Sequence, residues 1–241
     1  MKRPLALRSP KQRRSQASFE RVLDAAAGLL AEHGHEGFTL QEVSRRSGVS
    51  IGSIYCRVDG KKSLLRAVDQ RLLARFNAEH TEVVSVARSR GSKLADVLPA
   101  LVHELGEFLK RNAPFLRALI ALSKADPWVG TEGKKSYADL TSKVFALLKE
   151  HRQEIRHPEP DHAVEFCFEI LYGALGRTLG IGTISVPADR NLDRLIEDLS
   201  ILCGGFLLSD WERLPGREDR FRIESAITWN VRQQTSPSTQ G

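Results

Sequence analysis

Apolar residues along this chain recur at three- and four-residue intervals almost throughout, and that period predicts helices. Phe19, Val22, Leu23, Ala26, Leu29 and Leu30 share one face of a first helix, which Gly34 stops. A second start is Thr39-Leu40-Gln41-Glu42, where a Thr with a Glu three residues later is a capping box. That helix ends near Gly48. A third begins at Ser50 and is short, because Asp59-Gly60 breaks it. A fourth starts near Lys61, with Leu64, Leu65, Val68, Leu72 and Phe76 on one face. The run ARSRGSK, at 87–93, is the next break. Beyond it the pattern predicts a helix with Leu101, Leu105 and Phe108 inward, which Pro99 starts or kinks. Another opens at Pro114, and a further one covers YADLTSKVFALLKE, 137–150. Two long apolar segments follow at 161–182 and 191–211. There is no convincing strand and no internal repeat, so the expected fold class is all-α.

The break at Ser47-Gly48-Val49-Ser50 has no purpose in a core helix. Two short helices joined by a tight glycine turn make a helix-turn-helix. Val43, Val49, Ile54 and Val58 are then the inward residues that fix the angle between them. Ser50 caps the short helix, and Gly52 and Ser53 let its first turn approach another surface closely. Tyr55 and Arg57 point elsewhere, toward solvent or a ligand. A helix N-terminus suits a phosphate, and the major groove of DNA admits a helix read through its N-terminal residues. The plain alternative is a helix corner with a surface Tyr.

Charge separates these readings. The net charge is +6, but residues 1–66 hold thirteen Lys and Arg against six Asp and Glu, and the rest holds 23 against 24. All the excess positive charge lies in the segment with the turn. This is the footprint of a polyanion partner, nucleic acid ahead of an anionic membrane surface. The other numbers exclude more than they identify. The 241 residues suit one domain, or a small one joined to a larger one, and 41% apolar and 27% charged residues are ordinary. No apolar run is long enough to span a membrane. The basic N-terminus lacks the apolar core of a secretory signal, so a cytoplasmic protein is expected. Cys56, Cys167 and Cys203 are odd in number and far apart, which argues against a disulfide framework or a zinc ribbon.

Residues 18–66 resemble the DNA-binding domain of the tetracycline-repressor (TetR/AcrR) family of bacterial regulators. The resemblance is carried by FTLQEVSRRSGVSIGSIYCRVDGKKSLL and the preceding helix ending in HGHEGF. It matches at Thr39, Gly48, Val49, Ser50, Gly52, Ser53, Ile54, Tyr55, Lys61, Leu64 and Leu65, and departs at Arg57, Val58 and Lys62. It implies phosphate contacts from Thr39, Tyr55 and Lys61. Ser50, Gly52, Ser53, Cys56 and Arg57 would lie in or beside the groove. Arg57 is the best candidate for bidentate guanine readout, with phosphate as the alternative. Ile51 either packs beside Ile54 or meets a thymine methyl. Cys56 is a small packing residue or a redox-sensitive one. The residues Lys2, Arg3, Arg8, Lys11, Arg13 and Arg14 would lie along phosphates or in the minor groove, or form a solvated tail.

The expected organisation is a basic flexible arm at 1–15, the helix-turn-helix domain at 16–66, a helical effector-binding and dimerisation domain at 67–212, and a polar tail at 213–241. The last two helices are rich in small residues: Gly173, Ala174, Gly176 and Gly180, then Cys203-Gly204-Gly205. Close helix approach is the usual reason to tolerate mid-helix Gly. The resemblance implies a homodimer through these helices, holding two recognition helices over a near-palindromic operator; intrachain packing is the alternative. RNAPFLRAL is similar to the family's His-Pro-aromatic segment. The middle helices would form a pocket for a small-molecule effector of unknown identity. Its candidate liners are His103, Phe108, Trp128, Tyr137, Phe166, Phe168 and Tyr172, with ordinary core aromatics as the alternative. His157, Asp161 and His162 lack helical metal-ligand spacing. No phosphate loop, nucleophile elbow or paired-carboxylate motif argues for an enzyme, and nothing calls for a cofactor. The expected function is a repressor released from its operator by an effector. The alternatives are an activator, or an architectural DNA binder without an effector.

Overall fold

Capping chemistry sets most helix boundaries in the computed structural model, which describes residues 10–182 and 191–211. The first helix, α1, runs Pro10–His33 and ends where Gly34 turns left-handed at φ 70°, its N–H donating to the Leu30 carbonyl. In α2 (Leu40–Ser47) the Thr39 hydroxyl accepts from the Glu42 N–H, and the Thr39 N–H donates to the Glu42 carboxylate at 2.8 Å, so the capping box is complete. The short helix α3 spans Ile51–Tyr55, capped by Ser50. Helix α4 (Lys61–Ser89) carries the chain away from this cluster into the body.

The body departs from expectation at two places. The helices expected around Leu101 and after Pro114 are one helix, α5 (Leu94–Ala125), with both prolines inside it. An interior proline costs a helix about 3 kcal/mol. Here an apolar seam from Leu94 through Leu98, Leu105 and Leu109 to Leu119 and Leu122 is buried on both sides of the break. Each such side chain is worth about 1.5–3 kcal/mol, so the seam outweighs the proline. Near Pro114 the Asn112 amide also donates to the Phe108 carbonyl at 3.0 Å. The next helix, α6 (Pro127–Glu150), starts ten residues before the expected Tyr137. Its start signal is Asp126-Pro127: the Asp126 carboxylate accepts from the Trp128 N–H, and Pro127 takes the first helical position.

A 3-10 turn at Arg152–Glu154 leads to α7 (Pro160–Thr178), and α8 (Leu192–Leu208) closes the described chain. All elements among the described residues are helical. Helix α4 packs on α5 and α6, α5 also on α8, α7 on α8, and α1 on α2, α4 and α5. The α5–α8 contact depends on Gly106, where a Cβ would stand 2.5 Å from the Ile196 side chain. No described helix is long and apolar enough to cross a membrane. The expected arm is partly helical: Lys11, Arg13 and Arg14 fall within α1, whereas Lys2, Arg3 and Arg8 lie outside the described residues, as does the polar tail.

Candidate nucleic-acid interface and internal cavity

The turn between α2 and α3 exists because Gly48 adopts φ 67°, a left-handed conformation that costs other residues about 1–2 kcal/mol. Two serines then tie the turn down. The Ser44 hydroxyl donates to the Val49 carbonyl at 2.7 Å, and the Ser47 hydroxyl accepts from the Val49 N–H. Val43, Val49, Ile54 and Val58 are all buried, as the spacing predicts. A bidentate ion pair between Arg46 and Glu32, 2.6 Å at each contact, holds α2 on α1.

The residues expected at the interface lie together on this unit. Tyr55 is 55% exposed at the end of α3. Ser50, Gly52 and Ser53 are exposed, with the Ser53 N–H donating to the Ser50 hydroxyl and open space where a Gly52 side chain would point. Thr39 is exposed and already engaged in its cap. Lys61, in the first turn of α4, donates to the Glu36 carbonyl at 3.4 Å and stands over the Phe38 ring. Arg57 is exposed but turned back onto α1, donating to the Ser15 hydroxyl and lying over Phe19 with its guanidinium 5.5 Å from the ring centre. Ile51 is half-buried against the core, and Cys56 is exposed, so Cys56 does not fill a packing position.

The body holds a partly open cavity of about 350 Å³ between α4, α5, α6 and α7. Of the expected liners, Phe108, Tyr137 and Tyr172 reach it. Phe168 does not. It stacks behind, its ring 5.8 Å from Tyr172 and 6.1 Å from Tyr137. His103 is on the exposed side of α5, since its neighbours Leu101, Val102 and Leu105 claim the buried face. Trp128 lies under the Arg66 guanidinium, outside the cavity, and Phe166 packs on Phe206 near the surface. Four lining residues of α4 were not anticipated: Asp69, Leu73, Phe76 and His80. The signal was present, for Asp69 interrupts the apolar stripe of Leu65, Val68, Leu72 and Phe76. His80 accepts or donates at Asp139, 3.1 Å away, and burial holds its imidazole below the usual range. Burial, then the charges of Glu132 and Asp126, push the Asp69 carboxyl up to about 7.

Outside this cavity Arg66 pairs with Asp126 through two 2.8 Å bonds, joining α4 to the start of α6. That pairing holds the Asp126 carboxyl at about 2. His157 is occupied by the Glu159 backbone and Asp161 by Arg152, and no group of three metal-ligating side chains occurs among the described residues.

A glycine turn presenting a short exposed helix on a basic three-helix unit, with a hollow helical body behind it, defines a helix-turn-helix DNA-binding regulator. Residues 22–68 match the family described as bacterial regulatory proteins, tetR family. The transcriptional repressor ComR of Escherichia coli K12 is 27% identical over 184 residues, covering 73% of this chain and 82% of ComR. A structure from Mesorhizobium loti MAFF303099, described as a TetR-family transcriptional regulator, superposes with a TM-score of 0.66 at 18% identity, covering 80% of this chain and 96% of that one. The transcriptional regulator FadR of Bacillus subtilis, solved in complex with stearoyl-CoA, gives 0.58 at 15% identity, with 80% and 98% covered. Residues 22–68 therefore carry a DNA-binding domain of the tetR type, and the chain as a whole is similar to transcriptional regulators.

Proposed function

We propose that the protein is a homodimeric repressor that holds a near-palindromic operator and leaves it when a small molecule fills the cavity. The observation that carries this reading is the span of α4. One helix has Lys61 at its DNA-facing start and lines the cavity with Asp69, Leu73, Phe76 and His80 further along. A ligand that moves the cavity wall therefore moves the seat of the recognition unit. The stearoyl-CoA complex of FadR supports a small molecule as effector in this fold. A homodimer is supported by the last two helices. Among the described residues a Cβ at Gly173, Gly204 or Gly205 would meet nothing within 4 Å, so these glycines do not serve packing between the described helices. Beside them Ile201 is 68% and Leu202 50% exposed, with Phe166 and Ile170 partly exposed on α7. An apolar face of this kind fits the same face of a second copy.

On DNA, Tyr55 and Lys61 would grip phosphates, Thr39 would add another bond, and Ser50, Gly52, Ser53 and Cys56 would face the groove. Arg57 would leave Ser15 and Phe19 to reach a base edge. Recovery of bound fragments from random duplex should yield one short inverted repeat, with affinity falling steeply with salt. Tyr55→Phe and Lys61→Ala should then weaken binding to operator and random duplex alike, because phosphate contacts carry no sequence information. Arg57→Ala should cost about 1–3 kcal/mol at the operator and relax preference at one base pair per half-site. Equal retention of random and selected duplexes would refute the specific regulator, and uniform loss in Arg57→Ala would make that residue a phosphate clamp.

A further inference from the structure

Among the described residues, seven of the eight buried polar or charged ones have partners. Ser47 bonds the turn, His80 meets Asp139, Asn112 meets Arg75 and Glu79, Asp126 meets Arg66, Ser136 meets Asn77, His151 meets Glu154, and His157 meets Glu159. Asp69 is the exception. It is fully buried, yet no donor among the described residues reaches either carboxylate oxygen. Thr178 leaves one hydroxyl unpaired in the same way, but a neutral hydroxyl costs far less than a carboxylate.

Asp69 lies in the cavity wall, and the rest of that wall is mostly hydrocarbon and aromatic: Leu73, Phe76, Leu116, Leu119, Val129 and Leu140. The polar groups near it do not supply a counter-charge. His80 is committed to Asp139, and burial lowers its proton affinity, while Glu132 and Asp126 are themselves acids. Asp126 is neutralised by Arg66. Tyr137 and Tyr172 present phenol rings, and Lys134 reaches the wall from an exposed position on α6 without bonding Asp69. A buried carboxylate in an apolar chamber is satisfied by a donor that enters with the ligand, and best by a charged one.

We infer that the cavity takes a compact amphiphile with an apolar body and a protonated amine, the ammonium group pairing with the Asp69 carboxylate. This rests on the reading of the cavity as the effector site. An anionic ligand would set like charges together, and a neutral one would leave the carboxylate partly unmet. The carboxyl's elevated proton affinity fits this assignment, since an entering cation stabilises the charged form that the empty site disfavours.

The test is titration calorimetry of the full-length protein with decylammonium, decanol and decanoate, each below its micellar concentration, at about pH 8. The variants are Asp69→Asn, and Gly133→Phe to fill the cavity, because a side chain at Gly133 meets open space. Decylammonium should bind wild type at least about tenfold more tightly than decanol, and decanoate should bind most weakly. In Asp69→Asn the preference should vanish while decanol still binds. Gly133→Phe should abolish all three. Binding of all three alike to wild type, or an unchanged ammonium preference in Asp69→Asn, would overturn the inference and leave the cavity as a ligand site. Failure of every probe to bind wild type, or binding unaffected by Gly133→Phe, would overturn the cavity reading and the inference with it.

Discussion

Burying a carboxylate without a donor raises the free energy of its charged form, and at Asp69 the protein bears that cost beside two further acids, Glu132 and Asp126. The consequence is a pH dependence of stability with a definite sign. The folded-state pKa, about 7, lies above that of an ordinary Asp, so the folded protein holds this proton more tightly than the unfolded chain does. At low pH both states are protonated and nothing is lost. As pH rises through the interval up to about 7 the unfolded state ionises first, and the folded state loses stability until it too is ionised. Asn cannot ionise. Asp69→Asn should therefore be more stable than wild type at about pH 8, by a few °C in Tm, with the gap closing toward about pH 4. The other groups around the cavity are unchanged by the substitution: His80, Asp139, Lys134, Tyr137 and Tyr172. Thermal melts of both proteins across that range are the check, and a pH-independent gap would assign the effect to packing. A residue that lowers stability in the empty protein is one whose partner arrives with the ligand, which ties this measurement to the binding experiment.

Among the elements, the α2–α3 turn has the least freedom. Gly48 is left-handed, and although space exists for a Cβ, its conformation does not suit one. Gly48→Val should destabilise the fold by about 1–2 kcal/mol or more, since a β-branched residue is least tolerant of positive φ. It should also weaken operator binding beyond what the stability loss explains, because the turn sets the angle at which α3 is presented. Denaturant melts and operator titration under conditions where the variant is fully folded separate the two effects; unchanged binding by the folded variant would remove the turn from recognition. This unit was the most legible part of the sequence. Caps, a glycine and four inward aliphatics act within about twenty residues, so local chemistry alone determines it. The body was less legible because its decisions are made between elements. Pro114 reads locally as a helix start, yet the seam that α5 buries against α4, α6 and α8 carries the helix through it. Three of the seven candidate liners, Phe108, Tyr137 and Tyr172, reach the cavity. An aromatic at helical spacing shows neither which of two buried faces it takes, as with Phe168, nor whether it is buried at all, as with His103 and Phe166, and these three lie outside the cavity with Trp128. Asp69 was visible as a charge in an apolar stripe, but only the fold shows that nothing answers it. The tie between Arg57 and Ser15 spans 42 positions and has no local signature.

For the molecule as a whole, the proposed function calls for two recognition units at fixed spacing, since a single five-residue α3 can meet only a few base pairs. The surface that would fix this spacing is the α7–α8 face. Its apolar exposure is concentrated at Ile201, Leu202, Phe166 and Ile170, and the adjoining glycines leave room for a second backbone to approach. Burying Ile201 and Leu202 against another chain is worth about 1.5–3 kcal/mol for each side chain, whereas a charge there without a partner would cost several kcal/mol. Ile201→Glu should convert a dimer at micromolar concentration into a monomer, and Gly204→Phe should weaken it by filling the space between helices. Neither change touches α2, α3 or the cavity. Binding to a single half-site should therefore survive in Ile201→Glu, while affinity for the full inverted repeat falls to the half-site level. Sedimentation velocity and titration with half-site and full-site duplexes measure both consequences together. A wild-type monomer at all concentrations would rule out the dimeric repressor. A monomeric Ile201→Glu that still prefers the full site would show that the operator, and not the α7–α8 face, brings the two copies together.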